Sequence, residues 1–475
     1  MAVTPASETD RRRVVVVGGG IAGLTAAYVL GEDPTREVVL LEGSPQVGGK
    51  LRLAEVGGVS VDVGAEAMLN RRPEGAALAR ELGLPVVHPV ATRSQLWSRG
   101  ALRPLPRSLM GVPLDVEELA ASGVLSAAGL RRVRAEPSLP PTELDGDDVS
   151  VGDLVADRLG DEVVDRLVEP LLGGVYAGHA RELSARATTP QLVAMLDRGS
   201  LLEAAAAAVP VSMIPVFAGV PGGLGELPGA LLASGRFTAR TDATVRQLRV
   251  STGSTAEGGG YELVVGSAQQ PELVRADEVV LAVPAAPAAR LLGDLAPAAA
   301  AELAGIEYAS TAVVTLAFRA QGFPIAEGSS GFLVPPVEGR RIKASTFSFA
   351  KWAWVRAGGR GILDGENVLL LRTSLGRHRE EAALQATDEE LVAASLADLA
   401  DAIGLAGDPV DAQVQRWGGG LPQYAVGHLA RVARVQEEVA RLPGLAVCGA
   451  AYDGVGIPAV IASARRAADE VQAAQ

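Results

Sequence analysis

The run VVVVGGGIAGLTAAYVL, residues 14–30, constrains this chain more tightly than any other stretch. Val14, Val15, Val16 and Val17 are four consecutive β-branched residues with no polar side chain, which predicts a strand buried on both faces of a parallel sheet. Gly18-x-Gly20-x-x-Gly23 follows, with Gly19, Ile21 and Ala22 between, and opens a helix reaching about Leu30. In that setting Gly18 permits the tight turn and Gly20 lets the backbone approach a pyrophosphate. Gly23 allows helix and strand to pack closely, and the helix N-terminus supplies partial positive charge. A second strand, EVVLLE, ends at Glu42, 19 residues after Gly23. A carboxylate there accepts ribose hydroxyls and repels the 2′-phosphate of NADP. A dinucleotide site on a β-α-β unit is the expectation, with NAD and FAD both open at this point.

Composition narrows the classes. A chain of 475 residues, 48% hydrophobic and 21% charged, reads as a globular protein of two or more domains. A net charge of -13 argues against nucleic acid as a partner. One cysteine, Cys448, gives neither a disulfide framework nor a thiol metal cluster. His88, His179, His378 and His428 never fall at H-x-x-x-H spacing, so no metal is expected. The polar start, MAVTPASETDRRR, does not read as a signal peptide, and a cytoplasmic location is expected. Lysine occurs only at Lys50, Lys343 and Lys351, against abundant arginine, so a single arginine carries little information.

Further along, ADEVVLAVP (residues 276–284) and GLAVCGA (residues 444–450) read as buried strands, and ATDEELVAASLADLADAIG as a helix before the second. SVGDLVADRLGDEVVDRLVEPLL is helical in its apolar spacing. STAVVTLAF, RIKASTFSFAKWAW and NVLLLRTSL read as strands, and residues 251–260 as a turn between strands. In the second of these segments Phe347 and Phe349 fall on one strand face, with Trp352 and Trp354 after a slip at Lys351. Core packing and the lining of an apolar cavity both suit them. Residues 204–225 carry no charge, but Pro210, Pro215 and Pro221 break any spanning helix. A buried helix end with an apolar loop, a shallow membrane contact or an apolar channel remains for that stretch.

EGSPQVGGKLR, with Gly48, Gly49 and Lys50 within one loop of Glu42, resembles the extended signature of the flavin amine oxidase superfamily. Lys50 stands where the motif usually has arginine, keeping the charge but not the fork. LAVCGAAYDGVGIPAVIASARRAADEV resembles the superfamily's C-terminal flavin segment, although Ala450 stands where many relatives place an acid and Asp453 comes three positions late. PLLGGVYAGHARELSARATTPQL, VDVGAEAMLNRRPE (with Ala65 and Glu66 for the usual Pro and Asp), VPGGLGELPGAL and RWGGGLPQYAVGH are similar to the protoporphyrinogen and coproporphyrinogen oxidases. On these motifs the chain is identified as a member of that bacterial family, in its Gram-positive coproporphyrinogen III branch.

The resemblance implies a Rossmann-like α/β FAD-binding domain (residues 1–92, 222–305 and 405–475), a mainly helical insertion (93–221) and a mixed-sheet substrate domain (306–404). It implies non-covalent FAD held by Gly18, Gly19, Gly20, Ile21, Ala22, Gly23, Glu42, Gly43, Gly49, Lys50, Val63, Gly64, Ala65, Val245, Trp417, Gly449, Val455, Gly456 and Ile457. It implies oxidation of coproporphyrinogen III by dioxygen, six electrons in three hydride transfers, with protoporphyrinogen IX as the alternative substrate and amine or polyene oxidation as more distant ones. The flavin carries the hard step, so no catalytic side chain is assigned. A flat macrocycle would lie against Gly173, Gly174, Val175, Tyr176 and Gly178, and its propionates would need cations, with Arg71 or Arg72, Arg93, Arg99 and Arg103 as candidates. A peripheral membrane contact and transient contact with neighbouring haem-pathway enzymes are further expectations.

Overall fold

The computed structural model describes residues 11–473 except 143, 145, 147, 198, 208–213, 252–259, 322 and 325–327. Five parallel strands form the first sheet, in the order Thr238–Arg240, Arg36–Leu41, Arg12–Val17, Glu278–Leu281 and Leu445–Val447. Val15 pairs with Val39 on one side and Val279 on the other. The valine run supplies both faces. Val14 and Val16 pack with Leu24, Leu40 and Ile461 beneath the helices Ile21–Leu30 and Ile457–Ala473. Val15 and Val17 pack with Leu281, Leu291 and Val435 beneath the helices Ala285–Leu292 and His428–Val439. Each fully buried valine contributes roughly 1.5–3 kcal/mol, so this strand anchors two cores at once.

A seven-stranded mixed sheet lies beside it, in the order Asp411–Pro422, Tyr308–Arg319, Val368–Leu375, Ile342–Thr346, Ser329–Leu333, Arg93–Ser98 and Ala101–Pro104. One face is covered by the helix Asp388–Ile403, whose start carries a capping box made by Thr387 and Glu390. The helical part spans the helices Val116–Ser122 to Leu201–Ala207 around a core containing Leu119, Val155, Leu167 and Leu192.

Three expectations need correction. The segment from Phe347 to Trp354 is not a continuation of the strand. After Ile342–Thr346 the chain turns into two short helices, Ser348–Lys351 and Ala353–Gly358, because Ser348 and Lys351 both reach Glu66. Phe347, Phe349 and Trp352 are core residues, and Trp354 is half-buried. Residues 93–104, assigned to the helical insertion, form a hairpin of the seven-stranded sheet. Its turn residues Arg99 and Gly100 have φ of 54° and 72°, the paired left-handed conformation of a two-residue hairpin loop. Residues 411–422, assigned to the nucleotide domain, are an edge strand of that same sheet.

The helical stretch divides at Gly160, φ 91°, into Val151–Leu159 and later segments ending in Glu169–Tyr176. The proposed turn at residues 251–260 lies largely outside the described residues. The uncharged stretch begins in the helix Leu201–Ala207, lies outside the described residues at 208–213, passes through the strand Phe217–Ala218 and ends before the helix Glu226–Ala233, with Ile214, Val216 and Phe217 exposed. No helix among the described residues is long and apolar enough to cross a membrane.

Candidate functional site

A cleft of about 460 Å³ opens at the C-terminal ends of the parallel strands, the usual crevice of such sheets. It brings together Gly18, Gly19, Gly20, Ile21, Ala22, Glu42, Gly43, Gly49, Lys50, Ala65, Val245, Gly449, Val455 and Ile457. Gly18 has φ 107°, and a β-carbon there would stand 2.6 Å from the Ala282 carbonyl oxygen. A β-carbon on Gly23 would stand 1.8 Å from the Gly18 carbonyl oxygen, so Gly23 sits behind the cleft and sets how closely the helix approaches the strand. Gly20 faces open space and is the N-cap of the helix Ile21–Leu30, where no side chain caps the free N–H groups. Those groups point to an anion site.

Glu42 closes the other side. Its carboxylate accepts from the Gly19 amide at 2.6 Å and the Ser44 amide at 2.7 Å, leaving lone pairs for hydroxyl donors. The Gly48 amide donates to Gly19 O at 2.7 Å, which folds the Gly48, Gly49, Lys50 loop onto the glycine turn. Lys50 lines the cleft with its side chain exposed at the rim, and desolvation by the neighbouring walls lowers the ammonium pKa. Val63, Gly64 and Trp417 stand behind this loop. The Ala65 amide donates to Lys50 O at 3.2 Å, and Trp417 Nε1 donates to Val63 O at 3.3 Å. Gly456 is exposed at the start of the helix Ile457–Ala473.

The C-terminal loop is tied down from below. The Gly449 amide donates to Ser463 Oγ at 3.1 Å, Ser463 donates to Asp453, and Arg466 donates to Asp453 at 2.9 Å. Asp453 therefore holds the loop rather than facing the cleft. Cys448 is fully buried beside it, and burial pushes its thiol up to about 12.

Tyr176 connects the glycine-rich segment to this loop. Its ring packs 5.6 Å from that of Tyr424, whose hydroxyl donates to Ala450 O at 2.6 Å. Gln423 Nε2 donates to Tyr176 O at 2.8 Å, and a β-carbon on Gly178 would stand 2.1 Å from Gln423 Oε1. Gly173 has nothing within 4 Å of its β position and Gly174 only Leu333 at 3.9 Å, while Val175 is 45% exposed. This wall therefore faces open space next to the cofactor-side loop.

The arginines do not converge. Arg72 pairs with Glu74 at 2.9 Å, and Arg71 is exposed beside it. Arg93 is exposed at one end of its strand, Arg99 sits in the turn past the other end and donates to Leu125 O, and Arg103, on the neighbouring strand opposite Leu96, donates to Ser98 O.

Several residues here were not singled out from the sequence. Tyr308 and Arg290 line the cleft. Glu66 lies 2.7 Å from Lys351 and 3.6 Å from Arg372. Burial would raise its carboxyl, but the two cations overcome that and hold it near 2. Asp62 is instead pushed up to about 7 by burial, against the Leu224 and Gly225 amides that donate to it. In the sequence Glu66 shows only as a replacement within the VDVGAEAMLNRRPE motif, and Lys351 only as one of three lysines. Glu42, Lys50, Arg290 and Tyr308 are the ionisable side chains of the cleft. The arrangement suits an acid-bearing dinucleotide held by backbone amides and two cations, with redox chemistry supplied by the bound group.

A family model described as flavin containing amine oxidoreductase matches residues 21–472. A coproporphyrinogen III oxidase of Mycobacterium tuberculosis H37Rv is 41% identical, covering 97% of both chains. A protoporphyrinogen oxidase of Macaca fascicularis is 31% identical over 97% of this chain and 98% of its own. A crystal structure from Exiguobacterium sp. 255-15, provisionally described as a protoporphyrinogen oxidase, superposes with a TM-score of 0.85 at 31% identity, covering 98% of this chain and 99% of that one.

Proposed function

The chain belongs to the flavin containing amine oxidoreductases, and from that premise we propose that it binds FAD non-covalently and oxidises coproporphyrinogen III to coproporphyrin III with dioxygen. The full-length likeness to a coproporphyrinogen III oxidase carries this reading. The helix start at Gly20 to Ala22 would receive the pyrophosphate, Glu42 the ribose hydroxyls, and Val245 the adenine end. Lys50 and the loop from Gly449 to Ile457 would hold the isoalloxazine side. Cys448, the one cysteine, is buried in the sheet and turned from the cleft's chemistry, which supports a flavin free of any thioether bond.

When bound there, FAD would accept a hydride from a macrocycle carbon and pass its electrons to dioxygen, three rounds removing six electrons and yielding three hydrogen peroxide. The protein's part is positioning. The Gly173 and Gly174 wall gives a flat ring room beside the cofactor loop, and Tyr176, Gln423 and Tyr424 keep that wall in register with Ala450. Position alone can supply several kcal/mol of a barrier.

Purified protein with a flavin absorbance band, mixed in air with coproporphyrinogen III or protoporphyrinogen IX, tests the reading. Porphyrin fluorescence should rise faster than in the no-enzyme control, fastest with the tetracarboxylate, and acid precipitation should release the flavin into the supernatant. Preference for the dicarboxylate would move the enzyme to protoporphyrinogen, the substrate named for the Macaca relative. Rates equal to the control with flavin bound would end the porphyrinogen reading.

A further inference from the structure

Residues directly opposite each other in a sheet share a face. Thr315, in the strand Tyr308–Arg319, stands opposite Arg372 in the strand Val368–Leu375. From that face Arg372 donates to Asp62 O at 3.0 Å and lies 3.6 Å from Glu66. Val314 and Leu316, on the other face, pack in the core beneath the helix Asp388–Ile403. Thr315 therefore points toward the segment from Val61 to Glu66. There it meets a cavity of about 10 Å³, lined by Asp62, Glu66, Thr315, Ser348, Trp352 and Arg372 among others.

Two of these side chains carry a polar atom that nothing answers. Thr315 is 2% exposed and Trp352 1%, and among the described residues neither Thr315 Oγ1 nor Trp352 Nε1 has a hydrogen-bond partner. A buried polar group left unpaired is costly, and native folds keep few of them. An indole N–H only donates, whereas a hydroxyl both donates and accepts. The carboxylates of the cavity hold spare lone pairs. Asp62 accepts from the Leu224 and Gly225 amides, and Glu66 from Ser348 and Lys351. A cation cannot accept from the indole, and an anion would stand against Asp62 and Glu66. The volume sits at the lower limit for one water.

We propose that Asp62, Glu66, Thr315 and Trp352 form a binding site for one ordered water. It accepts from the indole N–H, exchanges a hydrogen bond with the hydroxyl and donates to a carboxylate. Three bonds of this kind are what a buried water makes. The water joins the strand Tyr308–Arg319 and the residue between the short helices Ser348–Lys351 and Ala353–Gly358 to the segment from Asp62 to Glu66. That segment carries Val63 and Gly64, behind the Lys50 loop, and Ala65, which lines the cleft. The site is independent of the substrate oxidised.

Crystals of the full chain as wild type, Thr315→Val and Thr315→Ser test it, at a resolution where ordered waters are visible. Wild type should show one density peak within about 2.7–3.2 Å of both Thr315 Oγ1 and Trp352 Nε1. Thr315→Ser should keep the peak. Thr315→Val, of the same shape but without the hydroxyl, should lose or weaken it. No peak in wild type, a hydroxyl turned onto a protein carbonyl, or an unchanged peak in Thr315→Val overturns the proposal. Urea unfolding gives an independent reading. Thr315→Val should lower the folded-to-unfolded ratio about tenfold. The double variant with Trp352→Phe should lose little more than Trp352→Phe alone, since both act on one water. Losses that add in full would mean two separate partners and refute the shared site. Should Trp352→Phe fail to fold, the three crystal structures decide alone.

Discussion

Glu66→Gln is the substitution whose effect is best defined by the geometry. The glutamine keeps the shape and can still bond Ser348, 3.1 Å from the carboxylate, and Lys351. What it removes is the charge between Lys351 and Arg372. A carboxyl lowered from 4.5 to about 2 by its surroundings favours the ionised form by about 3 kcal/mol. Breaking a buried ion pair from one side costs about 3–5 kcal/mol, so two routes agree on a loss near 3 kcal/mol at neutral pH. The sign is fixed by the direction of the shift. A depressed carboxyl contributes stability above its unfolded pKa, and that contribution disappears as pH falls from about 4.5 toward 2. Urea unfolding of wild type and variant, compared from pH 7 down to pH 3, should show a gap that closes on acidification. Ala65 lines the cleft next to Glu66, so the variant should also bind flavin more weakly. A variant within about 1 kcal/mol of wild type at pH 7 would show that solvent, not the ion pair, stabilises this carboxylate, and the reasoning would fail.

Two further outcomes follow from the cleft. Gly23→Ala puts a methyl where the Gly18 carbonyl oxygen already stands, 1.8 Å from the ideal position. The helix must then retreat from the strand, and the ratio of flavin to protein absorbance should fall to near zero in folded protein; normal flavin content would sink this account of the turn. Glu42→Ala deletes the acceptor of the Gly19 and Ser44 amides as well as the ribose contact. At roughly 1.5–3 kcal/mol for a charged hydrogen bond, FAD affinity should drop about 10- to 100-fold by fluorescence titration, whereas an unchanged Kd would remove Glu42 from the cofactor site.

The two sides of the site differed in how much of them could be read from residues in order. The cofactor side is made by close backbone approach, and close approach leaves glycines at fixed spacing. Gly18, Gly23 and the Gly48, Gly49 pair were visible for that reason, as was Glu42 at the end of an apolar run. The buried strands Glu278–Leu281 and Leu445–Val447 were visible because nothing polar interrupts them. The substrate side is made by contacts between distant segments. Arg93–Ser98 joins its sheet only through parallel pairing with Ser329–Leu333, a partner that no local pattern names. The turn of Ser348 and Lys351 into a helix depends on Glu66, far earlier in the chain. Among so many arginines, abundance could not pick out the cations that matter: Arg72 serves an ion pair, Arg99 and Arg103 bond backbone carbonyls, and Arg71 and Arg93 stand exposed. Scarcity discriminates better: Lys351 pairs with Glu66, Lys343 is buried with its ammonium on Gly376 O, and Lys50 lines the cleft with its side chain exposed. A residue type that composition disfavours is retained where its shape is needed, so in a chain of biased composition the rarest charged residue says more about the site than the commonest.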